Sequence, residues 1–124
     1  MKGGNQITTK DAANKQESRV HQFFHDWFGW GRVQPGSGAP EAYKSDVRLM
    51  GLARIECKTV TKPHRTFTLH KAWFDKVFEE AGPGEIPMVI MSFDNQRDYA
   101  CIELHLLPEL VQQFYERGNE REGL

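Results

Sequence analysis

The stretch from Gln34 to Thr59 constrains this chain more than any other. It reads as a Gly/Pro/Ser loop, a strand from about Ser45 to Met50, a turn at Gly51 and a second strand from about Leu52 to Thr59. The charges of this hairpin are placed unusually. Side chains alternate between the faces of a strand, so Val47, Leu49, Ile55 and Cys57 share one side. If that side is the core, Asp46, Glu56 and Lys58 converge on the other, with Arg48 and Arg54 beside them. Two carboxylates and a lysine on one small patch suit a hard divalent cation, which prefers oxygen donors and retains waters. The main-chain carbonyl of Cys57 would add a third oxygen. Lys58 would orient the attacking water or neutralise charge developing on a phosphate. An exposed hairpin face with simple Glu56–Lys58 or Asp46–Arg48 pairing and no chemistry is the alternative, and the acid-x-Lys triplet alone does not decide between them.

The surrounding charge favours a polyanionic partner. The net charge is −1, so the chain is not basic overall, but partners respond to local fields. From Lys44 to Lys71 the cations are Lys44, Arg48, Arg54, Lys58, Lys62, Arg65 and Lys71, whereas the anions are Asp46 and Glu56 alone. Acid gathers instead at Glu79, Glu80 and Glu85 and in the tail after Glu116. Lys62, His64 and Arg65 fall in an exposed connection suited to phosphate contact, or merely to solubility. Lys71 lies in the first turn of a helix, where backbone N–H groups also face outward.

Taken in order, the chain opens with a polar, Gly-rich segment (residues 1–10) expected to be flexible. A helix follows from about Asp11 to Phe28, with Val20, Phe23, Phe24 and Trp27 on one face and Glu17 at its border. A carboxylate there needs a partner. Either it joins Asp46 and Glu56, or it pairs with Arg19, Arg32 or another cation. His21 and His25, spaced i, i+4, have no third ligand for a transition metal. Thr68 is placed to cap a helix over 69–81, with Leu69, Trp73, Phe74, Val77 and Phe78 as its apolar side. The apolar run from Pro87 to Phe93 reads as a strand covered on both faces. Tyr99 to Leu104 returns as another strand, and a last helix runs from Pro108 to about Arg117, ending at Gly118 before a frayed tail over residues 119–124.

The whole is a mixed α/β chain in the order α-β-β-β-α-β-β-α, a single domain over residues 11–118. At 124 residues it has room for one core, and 39% hydrophobic content with three Trp and eight Phe supports a packed globule. Cys57 and Cys101 lack zinc-site spacing and read as small buried residues. No apolar run approaches membrane-spanning length and no signal-peptide core is present, so a cytoplasmic protein with no membrane partner is expected.

Asp46 followed one hairpin later by Glu56-Cys57-Lys58 resembles the signature of the PD-(D/E)xK nucleases, with Ser45 standing where the family has proline. The wider order, Glu17 in a first helix, Gly36-Ser37-Gly38, Lys44-Ser45-Asp46-Val47 and Ile55-Glu56-Cys57-Lys58-Thr59, resembles the Holliday-junction resolvases of archaea and bacteriophages. The loop from Gly38 to Lys44 is longer than in that branch. The resemblance spans roughly Glu17 to Leu104 and implies a restriction-endonuclease-like core and a homodimer that makes symmetric nicks in branched DNA using Mg²⁺, with Mn²⁺ as a substitute. It implies metal ligation by Asp46, Glu56 and the Cys57 carbonyl, with Glu17 as a further acid, Lys58 as the catalytic cation and Ser37 as a support from the loop. Ser37, Lys44, Arg48, Arg54, Lys62, His64, Arg65 and Lys71 are then the candidate DNA contacts. Gln34 and His70 receive no role. A nuclease of the same fold that acts on ends, flaps or linear duplex, and a binding subunit without catalysis, are the competing expectations.

Overall fold

The computed structural model describes residues 9–28, 34–35, 46–49 and 51–121. The expected DNA-contacting loop, with Ser37 and Lys44, and the last residues of the tail lie outside these. In order, the elements are α1 (Thr9–Phe28), β1 (Gln34–Pro35), β2 (Val47–Leu49), β3 (Ala53–Lys58), α2 (Lys71–Glu80), β4 (Ile86–Ser92), β5 (Asp98–Cys101), a 3₁₀ turn (Leu104–Leu106) and α3 (Leu107–Arg121). They build a mixed α/β structure around one five-stranded sheet of order β1-β2-β3-β4-β5. The β3–β4 pair is parallel and the other pairs are antiparallel. A parallel pair needs a crossover, and α2 supplies it.

The sheet is covered on both sides. Val20 and Phe24 of α1 pack with Val47, Leu49, Ala53, Ile55, Cys57, Met88 and Ile90, and Leu110 and Phe114 of α3 close over the same face. The opposite face receives α2, whose Val77 is fully buried. Strand β4 is therefore buried along its length, as its continuous apolar run suggests. Strand β3 is buried too, except at Lys58. This corrects the expectation of an open polar face: Arg54 and Glu56 are only 2% and 4% exposed, because α2 lies over them.

Burying Arg54 requires a counter-charge, and Glu85 provides it from the turn before β4. Its carboxylate receives Arg48 Nε (3.0 Å), Arg54 Nε (3.4 Å), and the N–H groups of Gly51 (3.1 Å) and Gly82 (2.8 Å). Burial alone would raise the pKa of Glu85, but the Gly82 and Gly51 N–H groups and Arg48 hold it below the ordinary carboxylate value. Both glycines suit their places. Gly51 turns the hairpin at φ 77°, a region that side chains disfavour, and a Cβ on Gly82 would come within 3.3 Å of Glu85 Oε1.

Several boundaries differ from the sequence reading. The buried row of α1 is Ala12, Gln16, Val20 and Phe24, one residue per turn, whereas Phe23 and Trp27 are exposed. Thr68 does not cap α2; His70 holds the N-cap position without a side-chain bond. Leu69 lies outside α2 and is exposed, and Phe78 points to solvent. The last strand ends at Cys101, which is half buried, and Leu104 is exposed in the 3₁₀ turn. Helix α3 runs through Gly118 to Arg121, since one glycine near a helix end costs at most about 1 kcal/mol. Both cysteines are free. Among the described residues no helix is long and apolar enough to cross a membrane.

Replacing Glu85 by Gln removes the counter-charge against which Arg54 is buried. We expect a loss of roughly 3–5 kcal/mol in urea unfolding, whereas Arg48→Gln, at the half-exposed edge of the same cluster, costs less.

Candidate active site

Asp46 sits immediately before β2. Because Val47 pairs with Ile55, the residue before it stands beside Glu56 and Cys57, past the last paired position of the hairpin. There Asp46 Oδ2 accepts the N–H of Cys57 at 2.7 Å. In an extended strand the N–H and C=O of one residue point the same way. The Cys57 carbonyl therefore also faces the Asp46 side, where the sequence reading wanted an oxygen donor.

Glu17 reaches the same place from α1. With Asp46, Glu56, Cys57 and Lys58 it lines a cleft of ≈230 Å³ at the carboxyl end of β3, closed by Thr59 and Thr61. Of the pairings open to Glu17, that with Arg32 lies outside the described residues and that with Arg19 does not occur. The Arg19 guanidinium instead grips Asp98 through Nε and Nη2 (both 2.8 Å) and the Asn95 carbonyl and Oδ1 through Nη1 (2.7 and 2.9 Å). Among the described residues no cation meets Glu17. Its carboxyl is pushed up to about 7, first by burial and then by the charges of Asp46 and Glu56. Asp46 is also raised, by burial and then by Glu56, although the Cys57 N–H partly offsets this.

The charge on Glu56 is balanced by two lysines. Oε2 lies 3.2 Å from Lys58 Nζ, as the strand alternation implies, and Oε1 lies 2.9 Å from Lys76 Nζ on α2. The bond to Glu56 holds Lys76 above its ordinary pKa against the opposing effect of burial. Lys76 is absent from the sequence reading. Its one signal is that it follows Trp73 by three positions and so shares its helix face, and Trp73 carries Lys58 Nζ over its ring at 4.8 Å.

A second residue missed from sequence, Gln16, fixes α1 over the cleft. It is fully buried, and its Nε2 donates to the carbonyls of Lys58 (3.0 Å) and Ile90 (3.3 Å) and to Asp98 Oδ1 (3.2 Å). Asn95, in the β4–β5 turn, adds a bond to the Ala12 carbonyl. Glu17 is thus carried by a helix clamped to three strands.

The other candidates are scattered. Arg54 is buried on Glu85 and is not available to DNA, and Arg48 is turned onto the same carboxylate. This corrects both as free phosphate contacts. Lys62, His64 and Arg65 are exposed beyond β3, as expected of that connection. Lys71 is exposed but pairs with Asp75 at 3.0 Å. His70 packs its ring on Trp73 at 4.7 Å. His21 is held below its ordinary pKa by burial. Only the backbone of Gln34 is described, paired with Arg48.

No protein-family model, curated protein or solved structure matches this chain. The chemistry therefore rests on the cleft itself.

Stability should carry the signature of Glu17. In the folded state its carboxyl keeps its proton up to about 7, against 4.5 in the absence of the fold. Across that window the folded state binds more protons than the unfolded one, so stability falls as pH rises through it. Glu17→Gln cannot ionise. In EDTA at pH 8 it should melt a few degrees above the wild type, with the gap closing below about pH 4.5. Melting curves across pH check this.

Proposed function

We propose that the protein is a Mg²⁺-dependent endonuclease that hydrolyses phosphodiester bonds in branched DNA, four-way junctions foremost, as a homodimer making paired nicks. The observation that carries this reading is the meeting of Glu17, Asp46, Glu56 and Lys58, drawn from a helix and a hairpin far apart in sequence, in one cleft. The order of helices and strands around a mixed sheet supports a restriction-endonuclease-like core.

The donors fit a hard cation in kind. They are carboxylates that raise one another's pKa, as acids do when they share a site without a metal, and a backbone carbonyl lies on the same side. Among the described residues no three His, Cys, Asp or Glu side chains already form a cation cage, and both oxygens of Glu56 are engaged by lysines. Asp46, Glu56 and the Cys57 carbonyl would hold Mg²⁺ or Mn²⁺, with Glu17 beside them, once Lys76 yields its place. When bound, the ion would supply an activated water and neutralise phosphate charge.

The chain's own groups do the rest. Asp46 is oriented by the Cys57 N–H. Lys58, steadied between Glu56 and the Trp73 ring, directs its ammonium at the attacked phosphate. Glu17, ionising near neutrality, can take a proton from water at its carboxylate. Lys62, His64 and Arg65 meet the phosphates flanking the cut. Exposed Phe23 and Trp27 on α1 and Val111 and Tyr115 on α3 supply apolar surface for a symmetric contact.

The deciding experiment is cleavage of end-labelled four-way junction, linear duplex and single strand by the wild type and Asp46→Asn. Paired nicks confined to the junction should vanish in EDTA and fall on the order of a hundredfold in the variant, with junction binding retained. Equal cutting of linear DNA would assign a general nuclease, and binding without any cutting would assign a non-catalytic subunit. Calorimetric titration with Mg²⁺ tests the lysine clamp: Lys76→Met, relieved of a competing cation, should bind the ion about tenfold more tightly.

A further inference from the structure

The aromatic residues outside the main core form a run that leads away from the cleft. Lys58 Nζ lies over Trp73. Trp73 meets Phe67 at 6.1 Å, Phe67 meets Phe93 at 6.2 Å and Phe93 meets Tyr99 at 5.5 Å, each edge to face. None of these four rings belongs to the cluster beneath α1 and α3. The run ends at an open cavity of ≈300 Å³ walled by Phe93 and Tyr99 and rimmed by Asp94, Gln96 and Arg97.

That rim is held in place. Asp94 Oδ1 accepts the N–H groups of Gln96 (2.9 Å) and Arg97 (3.0 Å) and the Ser92 hydroxyl (3.2 Å). Asn95 takes φ 57° with its side chain bonded inward to Ala12. The side chains of Gln96 and Arg97 are left exposed at the mouth. The connection after β3 runs alongside, since the His64 N–H donates to the Phe93 carbonyl at 2.8 Å. Lys62, Arg65 and Arg97 form no ion pair with any acid among the described residues, in contrast to Arg19, Arg48, Arg54 and Lys76.

Ring packing accounts for the half-buried Trp73 and Phe67. It does not account for Tyr99, which stays 42% exposed on an edge strand, nor for the unpaired Arg97 at the same mouth, with Lys62 and Arg65 in the connection bonded to Phe93 through His64. An exposed tyrosine ring with Phe93 set edge-on beside it, an amide and a carboxylate at the rim, and positive charge at the mouth together match one class of ligand. A nucleobase offers a face to stack and an edge to hydrogen-bond, and its phosphates need cations. An uncharged apolar ligand would use the wall and leave the cations without purpose.

We propose that this cavity takes an unpaired nucleobase from the DNA strand whose backbone passes the acidic cleft. The inference rests on the reading of that cleft as a nuclease site and adds what the site prefers nearby: a base freed from its stack, as at a branch point. Tyr99 stacks on it with Phe93 edge-on alongside, Gln96 and Asp94 meet its edge, and Arg97 with Lys62 and Arg65 hold the neighbouring phosphates.

The test is binding in EDTA, where no cutting occurs. Fluorescence anisotropy compares a labelled oligothymidylate with a strand of the same length whose central positions are abasic, so the phosphate charge is identical. The wild type should bind the intact strand on the order of tenfold more tightly. Tyr99→Leu, which keeps apolar bulk on β5 and is verified as folded by its melting curve, should erase the difference, while Tyr99→Phe and Asp46→Asn retain it. Equal binding of both strands by the wild type, no binding of either, or full preference in Tyr99→Leu would overturn the proposal. Failure of the nuclease reading registers separately, as absence of cleavage in Mg²⁺ with the base preference intact.

Discussion

The attachment of α1 to the sheet is what the candidate site depends on. Apolar packing by Val20 and Phe24 holds the helix near the core, but burial is non-directional and does not set which way Glu17 faces. Direction comes from polar bonds. Gln16 reads the carbonyl at the end of β3 and that of Ile90 within β4, and Arg19 grips Asp98 at the start of β5 with two bonds in parallel. A fork of this kind fixes angle as well as distance. With Gln16 and Arg19 on either side, Glu17 has little choice of orientation, and the same bonds take away the arginine that would otherwise neutralise it.

The second constraint is a contest between charge and burial on β3. Arg54 and Glu56 face α2, and each has a different solution. Arg54 is neutralised by a carboxylate that is itself fastened by two backbone N–H groups, an arrangement with no labile member. Glu56 is neutralised by two lysine ammoniums on flexible stems, one of them 43% exposed. Lysine is a mobile point charge where arginine is a rigid fork. The strand thus carries one charge pair built to stay and another built to exchange, two residues apart.

How much of this could be read from the sequence follows from the range of each interaction. The hairpin, the burial of β4 and the neighbourhood of Asp46, Glu56 and Lys58 depend on alternation and turns within a few residues, and those patterns were visible. Glu17 could be placed on the border of a helical face, but its freedom from Arg19 depends on Asp98, which no local pattern announces. Lys76 looks like any solvated helix lysine until the crossover sets it over β3. Arg54 looked like a surface cation because strand alternation alone does not reveal that a helix covers the second face. Gln16, a polar residue in the buried row of α1, broke the apolar pattern and shifted the predicted stripe toward Phe23 and Trp27, which the structure leaves exposed.

Cys57 follows Glu56 on β3, and its bond to Asp46 is made by the backbone alone. Its thiol is buried, and burial first, then the carboxylates of Asp46 and Glu17, push its pKa well above the ordinary value. The thiolate is the form that oxidants, alkylating agents and soft metals attack. The negative surroundings that would draw a hard cation to the carbonyl therefore favour the protonated form of the sulfur. One residue thus turns its backbone toward the acids while its side chain is kept in the form that oxidants attack least.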